Sequence, residues 1–185
     1  ERLLREWEIP WLAGYEGSKP VRCGNAAHEQ LQLDVFGEVM DALHQARQGG
    51  IPSSKDAWQL ELALTAQMEK IWRNPDQGIW EVRGKPQHFT HSKVMAWVAV
   101  DRAIKSAEQF HLAGPVDRWR ELRRQIHDDV CQHAYDPELN SFGQSYGSKL
   151  IDASTLLLPL VGFLPPHDPR VLGTIGCVEK HLLTD

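Results

Sequence analysis

Residues 74–86 read Asn74-Pro75-Asp76-Gln77-Gly78-Ile79-Trp80-Glu81-Val82-Arg83-Gly84-Lys85-Pro86 and separate two strongly helical stretches. Prolines at both ends and glycines inside leave no regular helix from about residue 74 to residue 88. Before the gap, residues 56–72 bring Trp58, Leu62, Met68 and Trp72 near one helical face, the mark of an amphipathic helix. After it, helical periodicity resumes over about 89–112 and stops before Gly114-Pro115. A connection this long in a compact domain is functional or disordered. Ile79, Trp80 and Val82 argue against disorder, because disordered tracts are poor in such residues.

The pattern extends in both directions. A first helix is predicted over 26–48, ended by Gly49-Gly50. A fourth, over about 116–134, carries Val116, Trp119, Leu122, Ile126 and Val130 at spacings of three and four. A fifth is expected near Ile151, apolar enough to be buried on most sides. Pro169 opens the sixth, which carries Val171, Leu172, Ile175, Val178 and Leu182. No stretch alternates like a strand, so the chain reads as all-α, a single domain over residues 1–185. Long connections (9–25, 74–88, 135–150) precede the first, third and fifth helices, and short links follow them. Helices joined by short links run antiparallel. Successive reversals then place all three long loops at one end, giving the array one decorated face.

Composition narrows the function classes. The 185 residues suffice for one domain or part of a larger one. A formal charge of −5 without a Lys/Arg stripe offers no footprint for nucleic acid. No apolar run approaches a membrane span; the candidate at 156–164 is broken by Pro159. No signal peptide is apparent at the N-terminus. Cys23, Cys131 and Cys177 lie far apart without metal spacing, which reads as reduced thiols in a cytoplasmic protein with no metal or cofactor motif.

The three long loops hold the candidate chemistry. The first supplies Trp11, Tyr15, Arg22 and Asn25; the second Asp76, Trp80, Glu81, Arg83 and His88; the third Asp136, Glu138, Gln144 and Tyr146. An acid beside an indole suits a sugar: the ring stacks on the apolar face, and low polarity raises the acid toward a proton donor. Amides and guanidinium groups meet the hydroxyls. Each residue also has a plainer reading. Glu81 taken alone reads first as a solvated loop acid paired with Arg83, and Trp80 equally as an anchor on the helical core. Tyr15 and Tyr146 read singly as packing residues, and Arg22 as a partner for loop carbonyls. His88 and His91 beside Lys93 suit a helix start better than a metal pair. Asp152 before Ser154-Thr155 reads as a helix cap, and Asp128-Asp129 as part of a solvated helix face.

With these residues in view, the chain resembles glycoside hydrolase family 15, which spans glucoamylases and bacterial trehalases. Three blocks carry the likeness: residues 14–27 running on to Gln32–Glu38; Pro75–Gly84 continuing through His88–Lys93; and Asp152-Ala153-Ser154 through Asp168–Val171. The resemblance implies an (α/α)6 toroid whose active site lies at the long-loop end. It implies inverting hydrolysis of a terminal α-glucosidic bond, with Glu81 protonating the glycosidic oxygen. Tyr15, Arg22 and Trp80 match positions lining the terminal-glucose subsite, and Arg83 joins them as a sugar-positioning residue. An inverting enzyme needs a second carboxylate roughly 6.5–9.5 Å away, and nothing after Asp152 resembles the family's base segment.

Two departures shape the expectation. A toroid of this kind has twelve helices against six here, so the chain reads as an internal part of a larger catalytic domain. Alone it is expected to be inactive and to self-associate through uncovered helix faces. Lys19 and Val82 replace a tryptophan and a glutamate of fungal glucoamylases, which turns the expected substrate from starch toward a short α-glucoside or trehalose. The competing reading is a non-catalytic helical-hairpin binding scaffold.

Overall fold

A computed structural model describes residues 6–24, 27, 30–52, 54–80 and 84–183. The chain forms two compact units, Glu1–Leu31 and Gln32–Asp185. In the first, β1 (Trp7–Glu8) pairs antiparallel with β2 (Arg22–Cys23). The pairing continues where the Ile9 amide donates to the Val21 carbonyl at 2.8 Å. A 3-10 turn at Tyr15–Gly17 follows Gly14, whose φ of 75° and lack of a side chain are both required. A Cβ there would lie 1.9 Å from the Ser18 carbonyl oxygen.

The second unit is all-α apart from one short hairpin. Its helices are α1 (Asp34–Gln48), α2 (Lys55–Ile71), α3 (Thr90–Gln109), α4 (Val116–His133), the single turn α5 (Leu157–Leu160) and α6 (Pro169–Leu182). The hairpin pairs β3 (Tyr135–Asp136) with β4 (Ser141–Phe142). Of the 20 residues of α3, the buried set covers every side of the helix, so α3 is the central rod rather than a surface helix. α1 lies parallel to it. Near their starts Gly37 lets the backbones close, since a Cβ there would stand 2.3 Å from the Met95 carbonyl oxygen. Near their ends His44 Nδ1 and Arg47 Nη1 reach Ser106 Oγ at 2.9 and 2.8 Å. α4 runs antiparallel to α3: Arg123 pairs with Asp101 at 2.7 Å, and Arg120 with Glu108 at 2.5 Å. Met40, Met68 and Ile126 are fully buried, each stabilising the unit by about 1.5–3 kcal/mol.

The ends of these helices show where the loops emerge. The Trp58 indole N–H at the start of α2 donates to the Ala113 carbonyl at 2.9 Å, so the links after α1 and α3 share one end. At the opposite end the Leu33 amide reaches Asp76 Oδ2 at 3.1 Å, and the Thr90 amide reaches the Gln144 carbonyl at 2.9 Å. Long loops 74–88 and 135–150 therefore emerge together. Loop 9–25 belongs to the other unit.

Three expectations are corrected. The first helix begins at Asp34, not near residue 26. Residues 30–33 are not helical, and the Leu33 amide is bonded to a distant carboxylate instead. The fifth helix is a 3-10 turn, Ala153–Leu156, leading into the single turn α5. Gly162, at φ 82°, ends it as the Phe163 amide folds back to the Leu158 carbonyl. Leu160 is 77% exposed, so this segment is not buried on most sides. Short strands also exist, but pairs two residues long carry no readable alternation. On α6, Val171 and Val178 face inward while Leu172 and Leu182 are exposed.

Candidate active site

Loop 74–88 is pinched shut at its base. Asp76 and Gln87 exchange backbone hydrogen bonds, both at 2.9 Å. Gly78, at φ 69°, lies against the Phe89 ring, where a Cβ would come within 2.7 Å. Asp76 is fully buried. Burial raises its pKa, against the bond from the Leu33 amide and the Lys93 charge. Lys93 is buried as well and donates to the Trp72 and Asn74 carbonyls at 2.5 Å each. It thereby satisfies carbonyls left open at the end of α2.

Burial pushes the Lys93 pKa down from 10.5 to about 8, with Asp76 and Asp129 opposing the shift. The folded chain therefore releases this proton before the unfolded chain does. Between those pH values the unfolded state holds more protons, and stability rises with pH. The expected gain from this group is roughly 3 kcal/mol, at 1.36 kcal/mol per pH unit. Urea midpoints measured across that range should show the rise, and Lys93→Met should remove it. Equal slopes in both proteins would contradict the assignment.

Loop 135–150 lies against the first. The Tyr146 amide donates to the His88 carbonyl at 3.0 Å, and Ser145 Oγ donates to Gln87 Oε1 at 3.1 Å. The Tyr146 ring stacks on His88 at 5.5 Å and touches His133 at the same distance. Its hydroxyl donates to Asp129 Oδ2 at 2.8 Å. Burial, followed by that bond, raises the Tyr146 pKa above its ordinary value. Trp80 is 58% exposed, and its indole N–H donates to Asp152 Oδ2 at 2.8 Å. Gln144 Nε2 donates to the same oxygen at 3.0 Å. Burial alone would raise the Asp152 pKa, but donation by Gln144, Ser154 and Trp80 outweighs it and holds the carboxyl below its usual range.

Trp80, Gln144 and Asp152 are thus brought together. Glu81 and Arg83 lie outside the described residues. Tyr15 and Arg22 belong to the first unit. Tyr15 is 84% exposed there, and Arg22 pairs with Glu6 and Glu8 at 3.0 and 3.2 Å. Asp152 caps as expected, its Oδ1 accepting from the Ser154 amide at 2.8 Å, but its link to Trp80 was not foreseen. Asp129 is half-exposed and accepts from Tyr146, while Asp128 is exposed. His91 lies in the first turn of α3 and His88 just before it, and the helix follows Phe89 without a side-chain cap. His91 is buried with no hydrogen-bond partner on either ring nitrogen, and burial lowers its pKa. Among the described residues, no three His, Cys, Asp or Glu side chains are grouped to hold a metal ion. No described helix is long and apolar enough to cross a membrane.

The second unit is thus an all-α array whose two long loops are laced together at one end. A solved glycosidase in complex with glucose shares it, with a TM-score of 0.73 and 18% identity over 92% of this chain and 47% of that one. The sequence profile described as Glycosyl hydrolases family 15 matches residues 1–185, and the chain belongs to that family. It is 43% identical over 173 residues to a trehalase of Thermoplasma volcanium, covering 93% of this chain and 28% of that protein. It is 42% identical over 187 residues to a trehalase of Mycobacterium tuberculosis, covering 100% and 27% respectively. The chain thus spans under a third of the length of these curated relatives.

Proposed function

We propose that the full-length protein hydrolyses a terminal α-glucosidic bond with inversion, and that Glu81 is the general acid. In that reaction water attacks the anomeric carbon as the bond to the glycosidic oxygen breaks. Glu81 delivers its proton to the departing oxygen, and a base elsewhere in the protein takes one from water. Tyr15, Arg22, Trp80 and Arg83 bind the sugar. The observation that carries this reading is Trp80, the immediate neighbour of Glu81 in sequence, exposed on a loop tied to a second long loop. Family membership supports the same reading, and the trehalase relatives favour α,α-trehalose over a starch-like substrate. Without the base, the 185 residues alone are inactive. The exposed Leu160, Leu172 and Leu182 favour their self-association. The absence of disulfides among the described cysteines is compatible with a cytoplasmic location.

Product stereochemistry tests the proposal. Inverting hydrolysis of α,α-trehalose releases one β-glucose and one α-glucose per event. Proton NMR of the full-length reaction, read before mutarotation, should show the anomers in equal amounts. Release of α-glucose alone would mean retention and would reject the mechanism.

A further inference from the structure

A cleft of about 520 Å³ lies on the flank of the array, between α3, α4 and the link after α5. Volumes of this order hold small molecules. On the α4 side Arg120, Arg123, Arg124 and His127 line it at spacings of three and four, one helical face. Among the described residues, Asp101 is the one carboxylate in the lining, and it is buried. Its Oδ1 accepts from Arg123 at 2.7 Å, and its Oδ2 from Lys105 at 2.8 Å and Arg102 at 2.5 Å. Arg102 is matched separately by Asp41 at 2.5 Å. Arg123 and Lys105 therefore share one carboxylate whose oxygens are both occupied. Arg123 gives it a single N–H, and a guanidinium carries five. Arg120 and Arg124 are more than half exposed, and their partners Glu108, Asp117 and Glu121 do not line the cleft. Exposed pairs of this kind are weak, so an incoming anion can draw on the same guanidinium groups. The floor is aromatic: Trp97 packs edge-on against Phe163 at 5.3 Å, and the His127 ring lies 4.8 Å from Phe163.

We propose that this flank cleft binds the phosphate ester of a small sugar, through residues other than those of the long loops. The lining offers an excess of cationic donors and no unoccupied carboxylate oxygen, which selects an anion. Guanidinium forks match the oxygens of a phosphate two at a time. An apolar floor strengthens that attraction by lowering the local dielectric. A phosphate alone would leave most of the cleft unfilled. The remaining space borders the His127 ring, a third of which is exposed, and it suits the apolar face of a sugar carried by the phosphate.

The test is calorimetric titration of the full-length protein with glucose 6-phosphate and with inorganic phosphate. The ester should bind more tightly than the free ion, and its affinity should fall as salt is added. Arg123→Gln and Lys105→Gln should each weaken the ester by about tenfold to a hundredfold, the usual effect of losing a hydrogen bond to a charged group. Arg118, also on α4, pairs with Glu69 outside the lining. Arg118→Gln removes the same charge and should leave the affinity unchanged. Lys105 is 42% exposed, so Lys105→Gln decides the matter should Arg123→Gln fail to fold. Absence of saturable binding by the ester would overturn the proposal, as would free phosphate binding as tightly. An unaltered affinity in Lys105→Gln would place the ester elsewhere, at the hydrolytic site for example. An equal loss in Arg118→Gln would reduce the effect to overall charge, and either result rejects the cleft as the site.

Discussion

Under the proposed assignment of Glu81 as the general acid, Glu81→Gln in the full-length protein should lower kcat for α,α-trehalose by about 10²–10⁴-fold, the usual contribution of a positioned proton donor. The amide keeps the size of the side chain and its capacity to hydrogen-bond, so KM moves little. What it cannot do is release a proton to the glycosidic oxygen as the bond breaks. The defect should therefore fall on substrates with poor leaving groups, and α-glucosyl fluoride should retain most of its turnover. Steady-state kinetics on the two substrates read both parts of this expectation. A trehalose rate within a few-fold of the parent would place the donor elsewhere.

Glu61→Ala is the substitution with the largest expected effect on stability. Glu61 and Arg47 are buried side chains joined through Arg47 Nη2 to Glu61 Oε1 and Arg47 Nη1 to Glu61 Oε2. The guanidinium also donates to Ser106 on α3 at 2.8 Å and lies over the Trp58 and Phe110 rings at 5.7 and 5.6 Å. One pair therefore ties α1, α2 and α3 together at the short-link end. Removing the carboxylate leaves a buried cation whose desolvation is no longer offset, at a cost of about 3–5 kcal/mol. The denaturant midpoint should fall accordingly. Arg47→Met combined with Glu61→Leu should recover most of the loss, because apolar groups of similar volume carry no desolvation penalty. A cost below about 1 kcal/mol for Glu61→Ala would be that of a solvent-exposed pair.

The helices were legible wherever one face is apolar and the other wet. Of the stripe predicted for α4, Trp119, Leu122, Ile126 and Val130 are buried and Val116 is half-buried. Loop lengths gave the end at which 74–88 and 135–150 emerge, because short links force reversal. Periodicity failed for segments whose backbone is bonded to distant groups. Leu33 looks helical, but its amide is held by Asp76 from another loop. The segment after Ile151 is apolar enough for a long helix, yet it forms a single turn and is ended by Gly162. Tyr146 illustrates the same limit at the site. Its packing role was readable, but not the Asp129 that receives its hydroxyl.

Taken alone, the sequence determined the all-α class, the long-loop placement of the Trp80-Glu81 pair and the cap at Asp152, since each depends on neighbours a few residues away. Only the tertiary structure decided what the second oxygen of Asp152 does. Its indole partner is 72 residues distant in the chain. Side-chain spacing reports which face of an element is buried and which local group caps it. Which distant donor reaches a given acceptor follows from how the loops pack together, and no local pattern encodes that.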